Sequence, residues 1–375
     1  MKILITGRGY DTPSEHSLGI FEWDQARALR DAGHDVRFAA LDTRSLRARR
    51  PWGVRSYVLD AIPVWYGALP AGRALGRLSL ALENRAADML WDRIDRDGWR
   101  PEIVHSHFGG ALLPGARKRG IPRVYTEHYS LTNLASPPPE ELARERETYA
   151  LADRLLCVSS PLQSSIRRNT GAEATVLPNI VDTACFFRPT PPGSEGDGFC
   201  FASVGSLIRR KGFDLLLDAL GILRERGLCP EVKIIGRGEE EPALRSQAEA
   251  LGVARQVEFT GFRPREEIAE IFHSADAFVL ASRRETFGVV YVEAMAAGLP
   301  VIATACGGPE DFVSEKNGVL VPAEDPSALA DAMERLMLHR NEYDSAAIAA
   351  RVRETYAPDR IAAGLTAVYE EVLSC

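Results

Sequence analysis

Nothing in the spacing of the six cysteines (Cys157, Cys185, Cys200, Cys229, Cys306 and Cys375) suggests pairing, and several stand in apolar, strand-like runs. Buried thiols in a reducing compartment explain them better than a disulfide framework or a zinc site. Charges interrupt every apolar run before it reaches membrane-spanning length, and no leader pattern is visible, so a cytoplasmic protein is expected. There is no excess of positive charge either. Residues 1–190 carry 26 Lys and Arg against 22 Asp and Glu, and residues 191–375 carry 19 against 30, giving the net −7 of the chain. That gives no support to a nucleic-acid binder, and the asymmetry argues for two units with different surfaces. A Walker loop, a nucleophile elbow and a His pair one helical turn apart are all missing. Gly7-Arg8-Gly9 and Gly236-Arg237-Gly238 follow strands, but Thr12 and Glu241 take the third glycine place. Neither completes the dinucleotide fingerprint, which argues against hydride transfer on a nicotinamide. Asp95-Arg96-Asp97 has the letters of a metal–diphosphate motif, yet it lies near a helix end, where residues two apart do not share a face. A solvated face is the reading there.

What is present is the composition of an ordinary globular protein, 45% hydrophobic and 26% charged, in 375 residues. That length favours two domains over one core. Short apolar runs alternate with helical patterns from the start. The first half offers strands at Lys2–Thr6, Asp35–Ala40, Ile103–His105, Arg123–Thr126, Arg154–Val158 and Thr175–Leu177, with helices at Gly19–Gly33 and from about Arg73 to Asp97. Residues 178–198, rich in proline and glycine, have linker chemistry. Alternation then resumes with strands at Phe199–Val204, Val232–Ile235, Val257–Phe259, Ala277–Leu280 and Val301–Thr304 and helices between them. Two such alternations imply an α/β protein of two Rossmann-like, doubly wound parallel sheets facing across a cleft, with ligands beyond the carboxyl ends of the strands. The expected boundary is 1–182 and 183–358, with a last helix from 359 returning to the first domain.

The most informative stretch is Ser282 to Pro300, SRRETFGVVYVEAMAAGLP. From Phe287 to Ala297 nearly every residue is apolar, so a helix buried on most sides is expected, interrupted by Tyr291 and Glu293. Glu285 stands just before it and Gly288 at its first turn. A buried carboxylate needs hydrogen bonds, and a helix start beside a glycine is a ready anion site. A phosphate on the helix end with sugar hydroxyls on the two carboxylates, a nucleotide-sugar, fits. The competing reading makes Glu285 a loop residue and pairs Glu293 with Arg283 or Arg284. Lys211, between a strand and a helix, is placed to neutralise a leaving diphosphate, against the alternative of a solvated lysine in a charge run with Arg209 and Arg210. Arg44, Arg47, Arg49 and Arg50 read first as a solvated face and second as a weak contact with anionic lipid at the inner face of a membrane. His105, His107 and His128 end strands of the first sheet, and His128, beside Glu127, is the better candidate to hydrogen-bond a sugar.

The segments SVGSLIRRKGFDLLLDAL, IIGRGEEEPAL, VEFTGF, the stretch above and NGVLVPAEDPSALADAM together resemble the second domain of a family four glycosyltransferase of the group 1 type, with the GT-B fold. In the first half GIFEWDQARALRDAGHDV, EIVHSHF, RVYTEHYS, VSSPLQSSI and LPNIVDTACF are similar too, so the resemblance spans nearly the whole chain. It implies a retaining, metal-independent transfer of a hexose-type sugar from a nucleotide-sugar, UDP favoured over GDP, to a saccharide or lipid-linked acceptor in glycoconjugate biosynthesis. No cofactor is implied. Glu285, Lys211 and His128 would act at the sugar and leaving group, and Glu293 on the ribose. Backbone at Phe287, Gly288 and Val289 would hold the diphosphate, with Phe262 and Arg263 beside the base. His16, Ser17, Gly19 and His107 would face the acceptor. Two departures stand out. Gly205 is followed by Ser206 where many members carry arginine, leaving Arg209 or Arg210 to supply the charge, and the usual glycine pair of the first loop is missing. A nucleotide-sugar 2-epimerase of the same architecture, or a non-catalytic sugar-nucleotide partner, remains the alternative.

Overall fold

The computed structural model describes residues 1–8, 20–44, 52–69, 77–129, 131–193 and 198–374. His16, Ser17 and Gly19 lie outside the described residues, as do Arg47, Arg49 and Arg50. The chain forms two compact units, Met1–Ile180 with Pro358–Cys375, and Val181–Ala357.

The first unit contains β1 (Lys2–Arg8), α1 (Ile20–Asp31), β2 (Asp35–Asp42), β3 (Gly53–Leu59), β4 (Ile62–Ala68), α2 (Arg77–Arg96), β5 (Ile103–His107), α3 (Leu113–Lys118), β6 (Arg123–Glu127), α4 (Pro139–Tyr149), β7 (Arg154–Cys157), α5 (Ser160–Thr170) and β8 (Thr175–Val176). The sheet order is β3-β4-β2-β1-β5-β6-β7-β8. The chain leaves β1 first toward β2 and later, from β5, toward the other edge. The switch point therefore lies between β1 and β5, whose register pairs Ile5 with His105.

One part of this sheet departs from the all-parallel expectation. β3 runs antiparallel to β4, a hairpin that the alternation did not announce. Its turn is Asp60-Ala61, with φ of 46° and 59°, where a hairpin usually advertises itself by Asn-Gly or Asp-Gly. Asp60 is instead fixed by a hydrogen bond from Trp23 Nε1 at 3.0 Å and by Arg27 Nε at 3.8 Å.

The second unit holds α6 (Thr183–Phe186), β9 (Cys200–Val204), α7 (Phe213–Glu225), β10 (Glu231–Ile235), α8 (Glu241–Ala250), β11 (Val257–Gly261), α9 (Arg265–His273), β12 (Ala277–Leu280), α10 (Val289–Ala296), β13 (Val301–Thr304), β14 (Gly318–Val321), α11 (Pro326–His339) and α12 (Ser345–Tyr356). All its strands are parallel, in the order β11-β10-β9-β12-β13-β14. The switch point falls between β9 and β12. α10 packs within the core, and its fully buried Tyr291 donates its hydroxyl to the Leu280 carbonyl at 2.8 Å. The phenol thus tethers the helix to the end of β12, which is why a polar group is tolerated in that apolar run.

The last helix, α13 (Pro358–Ser374), belongs to the first unit. Ile361, Leu365, Val368 and Tyr369 join Trp23, Ala26 and Leu29 of α1 in one hydrophobic core. Tyr369 meets His105 Nδ1 at 2.7 Å, and Thr366 meets His34 Nε2 at 2.9 Å. No described helix is long and apolar enough to cross a membrane.

Candidate active site

After β12 the chain turns between two neighbouring strand exits. Arg283 donates its N–H to the Arg210 carbonyl at 2.8 Å, and Glu285 donates its own to the Cys306 carbonyl at 3.1 Å. Gly308 N–H returns to the Glu285 carbonyl at 3.1 Å. The segment is therefore stitched to the loops after β9 and β13, and Glu285 is held from both sides. A glycine makes the first approach feasible. Gly212 has φ +67°, and a Cβ there would stand 1.9 Å from the Ala281 carbonyl oxygen.

Three donors converge on the Glu285 carboxylate. Lys211 Nζ lies 2.6 Å from Oε1, Ser282 Oγ 2.7 Å from the same oxygen, and Arg210 Nη1 3.8 Å from Oε2. The Glu285 and Lys211 side chains are 6% and 13% exposed, so the pair is shielded from screening. Burial alone would raise the Glu285 pKa, but the Lys211 charge and hydrogen bond, followed by Arg210 and Ser282, hold it below the usual carboxylate value. Glu285 is thus a fixed anion and a hydrogen-bond acceptor, unsuited to carrying a proton. Immediately beyond it Gly288, at φ +89°, caps α10, whose Val289 and Val290 N–H groups precede the bond from Tyr291 N–H to the Gly288 carbonyl at 3.1 Å.

Glu293, one turn into α10, is buried, with Arg265 Nε at 3.6 Å. The alternative pairing with Arg283 or Arg284 is not made. Arg283 instead bonds Asp214 (2.7 and 2.9 Å) and Glu324 (2.6 Å). Arg265 and Ser282 were not foreseen as site residues. Arg265 meets Glu293 from 28 positions away, a contact no local pattern carries, whereas Ser282 stands three residues before Glu285 and its signal was local.

The remaining candidates separate. Arg209 is turned to Asp214 at 3.1 Å, away from Glu285, whereas Arg210 faces the carboxylate. Gly205 stands over the Lys211 stem, and Ser206 beside it is exposed. Phe287 and Val289 bury their side chains. Phe262, at the end of β11, is 41% exposed, and the Arg237 guanidinium lies 5.8 Å from its ring. Arg263 pairs with Glu267 at 3.1 Å.

In the first unit, His107 Nδ1 and His128 Nε2 are 2.9 Å apart, both rings buried. His128 is stacked between Phe108 and Phe21, at centroid distances of 5.0 and 6.0 Å. Arg8 covers Phe108 at 3.5 Å and reaches Glu22 Oε1 at 3.6 Å. Phe108 carries φ 51°, a left-handed conformation that costs about 1–3 kcal/mol and often marks a functional turn. Burial lowers His128 and His105 to about 3, with Arg8 adding to the effect on His128. His107 falls well below its ordinary value, again through burial first and then its histidine neighbours. The two facing rings are therefore neutral, one donating to the other, and His128 is a hydrogen-bonding group rather than an acid. Glu127 points elsewhere, accepting from Tyr129 N–H at 2.6 Å and the Tyr149 hydroxyl at 2.9 Å. Among the described residues, no three His, Cys, Asp or Glu side chains converge as a metal-binding group.

With this geometry in view, comparisons with known proteins are decisive. Residues 189–353 match the family described as glycosyl transferases group 1, and residues 21–184 match glycosyltransferase family 4. A D-inositol 3-phosphate glycosyltransferase of Catenulispora acidiphila is 31% identical over 358 residues, covering 85% of this chain and 82% of the relative. The chain belongs to the group 1 glycosyltransferases. Two solved structures share its fold across both units. Sucrose-phosphate synthase from Thermosynechococcus elongatus gives a TM-score of 0.79 at 21% identity, covering 100% of this chain and 99% of that one. Anabaena HepE in complex with UDP-glucose gives 0.71 at 20% identity, covering 99% and 100%. This glycosyltransferase therefore has two parallel-sheet α/β domains of the GT-B type.

Proposed function

We propose that this glycosyltransferase moves a hexose-type sugar, with retention of anomeric configuration, from a nucleotide-sugar to an acceptor hydroxyl in glycoconjugate biosynthesis. The observation that carries the reading is the fixed Glu285 anion, bonded to Lys211 and Ser282 beside the start of α10. An ionised carboxylate held by two hydrogen bonds and a nearby guanidinium offers its remaining lone pairs to sugar hydroxyls. The helix-start N–H groups and a lysine one bond away suit the diphosphate that leaves. Glu293 would meet the ribose hydroxyls, and Phe262 with Arg263 would border the base. From the first unit neutral His128 would hydrogen-bond the sugar, and His107 would face the acceptor. In a same-face displacement the departing phosphate oxygen takes the acceptor's proton, so no protein base has to titrate in the working pH range. The diphosphate charge would fall on Lys211 and backbone, with no metal ion required. UDP-glucose bound to a relative of the same fold favours a UDP carrier.

The test is a panel of UDP- and GDP-sugars incubated with the protein and saccharide or lipid-linked acceptors, with and without EDTA. Nucleoside diphosphate release that depends on acceptor, survives EDTA and leaves the anomeric configuration unchanged supports the reading. Conversion of the donor sugar without acceptor would replace transfer by 2-epimerisation. An inverted product would refute retention.

A further inference from the structure

One residue before His128 begins a buried cluster that the proposed reaction leaves unused. Glu127, 2% exposed at the end of β6, accepts from Tyr129 N–H at 2.6 Å through Oε1. Its Oε2 accepts from the Tyr149 hydroxyl of α4 at 2.9 Å. The Tyr125 hydroxyl makes a longer contact to Oε2 at 3.5 Å and itself accepts from Gly109 N–H at 3.1 Å. One carboxylate therefore joins the two turns that clamp His128. It holds the turn at 128–129 directly, and through Tyr125 it reaches Gly109, next to the Phe108 ring that stacks on His128 at 5.0 Å. Glu145, also on α4, is the other acid near enough to act on Glu127. Its Oε1 accepts from the Thr132 hydroxyl, and its Oε2 is buried without a partner. The His128 ring keeps Nε2 on His107, while Nδ1 is buried without a partner. Where that ring sits decides what Nδ1 can offer a ligand.

Charge decides whether all these bonds coexist. An ionised carboxylate accepts from every donor around it, and both phenols stay protonated, since burial and then the Glu127 charge raise them. A neutral carboxyl brings a proton of its own among those donors. Either a bond is then given up or the new proton goes unpaired. The ionised state is thus the one that ties both turns. Burial, against the bonds from Tyr129 and Tyr149 and helped by the Glu145 charge, raises Glu127 to about 7, whereas His128 stays near 3. We propose that Glu127 is a positioning residue, whose ionised carboxylate ties the turns on either side of His128 and so sets that ring for the sugar. Transfer then follows the charge of Glu127, although Glu127 itself touches no ligand. The inference rests on the role proposed for His128 at the sugar. It also accounts for a buried acid where a neutral glutamine would cost the fold less.

The test is kcat/KM between pH 5.5 and 8.5, with the donor that the sugar-nucleotide panel identifies, for wild type, Glu127→Gln and Tyr149→Phe. Ring-nitrogen NMR spectra of His128 are recorded on the ligand-free full chain over the same range. The wild-type value should rise about tenfold across that range with its midpoint near pH 7, because kcat/KM reports the groups of the free enzyme. Glu127→Gln should be slower at pH 8.5 and lose the rise. Tyr149→Phe should keep the rise and move its midpoint to higher pH, since a bond that lowers Glu127 has gone. In the wild-type spectra the His128 ring should stay neutral while its signals shift with the same midpoint, and in Glu127→Gln they should not shift. A flat wild-type profile, a rise that survives in Glu127→Gln, or an unmoved midpoint in Tyr149→Phe overturns the proposal. If no sugar-nucleotide is a substrate, the reading of the reaction fails. The spectra then decide the coupling alone: a shift present in wild type and absent in Glu127→Gln supports it, and no shift overturns it. Should Glu127→Gln not fold, the Tyr149→Phe midpoint decides.

Discussion

At the scale of single residues, the Lys211–Glu285 contact joins two roles. The cation proposed to meet a leaving diphosphate is bonded to the carboxylate proposed to meet the sugar, at 2.6 Å and largely out of water. Each orients the other before any ligand arrives. Each also depends on the other for stability, since removing one partner of a buried pair costs about 3–5 kcal/mol. Glu285→Gln keeps the shape and the hydrogen bond from Ser282 but removes the charge. Its transfer rate should fall about a hundredfold or more, and its Tm should drop because Lys211 loses its counter-ion. Steady-state kinetics with a thermal melt on one preparation checks both. A full rate would take Glu285 out of the site. The identities of Glu285, Glu293 and Lys211 as site candidates were legible from the sequence, because a carboxylate in an apolar run and a lysine between strand and helix are local patterns. The partner of each was not. Glu285 and Lys211 are 74 positions apart, and only the β9–β12 neighbourhood brings them together.

At the scale of elements, the site is as good as the loop that presents it. Gly212 allows the loop after β9 to lie against the Ala281 carbonyl, and that contact sets where Lys211 and Arg210 stand. Gly212→Ala meets both a positive φ and a carbonyl oxygen at 1.9 Å, so the loop must retreat. The expected outcome is a loss of about 1–3 kcal/mol of stability, with nucleoside diphosphate affinity lowered although no ligand-contacting side chain has changed. Chemical denaturation and calorimetry on the same variant would show this, and unaltered affinity would mean the loop position is unimportant. The β3–β4 hairpin illustrates the opposite limit of sequence reading. Its Asp60-Ala61 turn lacks the residues that favour left-handed backbone, and Trp23 and Arg27 of α1 hold it. Support from a distant helix cannot be seen in the turn's own letters.

At the scale of the whole molecule, buried titratable groups set how stability follows pH. His105 and His128 titrate near 3 in the folded first unit, and His107 well below its ordinary value, against about 6.5 in an unfolded chain. A depressed folded pKa means the unfolded state binds more protons, so this contribution is complete above about pH 6.5 and is lost progressively toward pH 3. Glu127 acts in the other direction. Burial, outweighing the bonds from Tyr129 and Tyr149, raises it to about 7, so between about pH 4.5 and 7 the folded state holds the extra proton and stability falls as pH rises. Glu127→Gln should therefore gain on wild type progressively across that window, read by urea denaturation at pH 4.5, 6 and 7.5. A difference independent of pH would place the Glu127 proton elsewhere.

What the sequence determined by itself was the succession of elements outside the β3–β4 hairpin and β14, because hydrophobic periodicity and helix-ending residues act locally. It also determined the candidacy of the 282–300 stretch, because charge inside an apolar run needs an explanation wherever the chain folds. What only tertiary structure decided was how the charges are shared. Arg209 and Arg210 are adjacent and chemically identical, yet one answers Asp214 and the other faces Glu285. The choice is made by the direction each side chain takes from a short helical turn, and by which carboxylate the neighbouring strand delivers within reach.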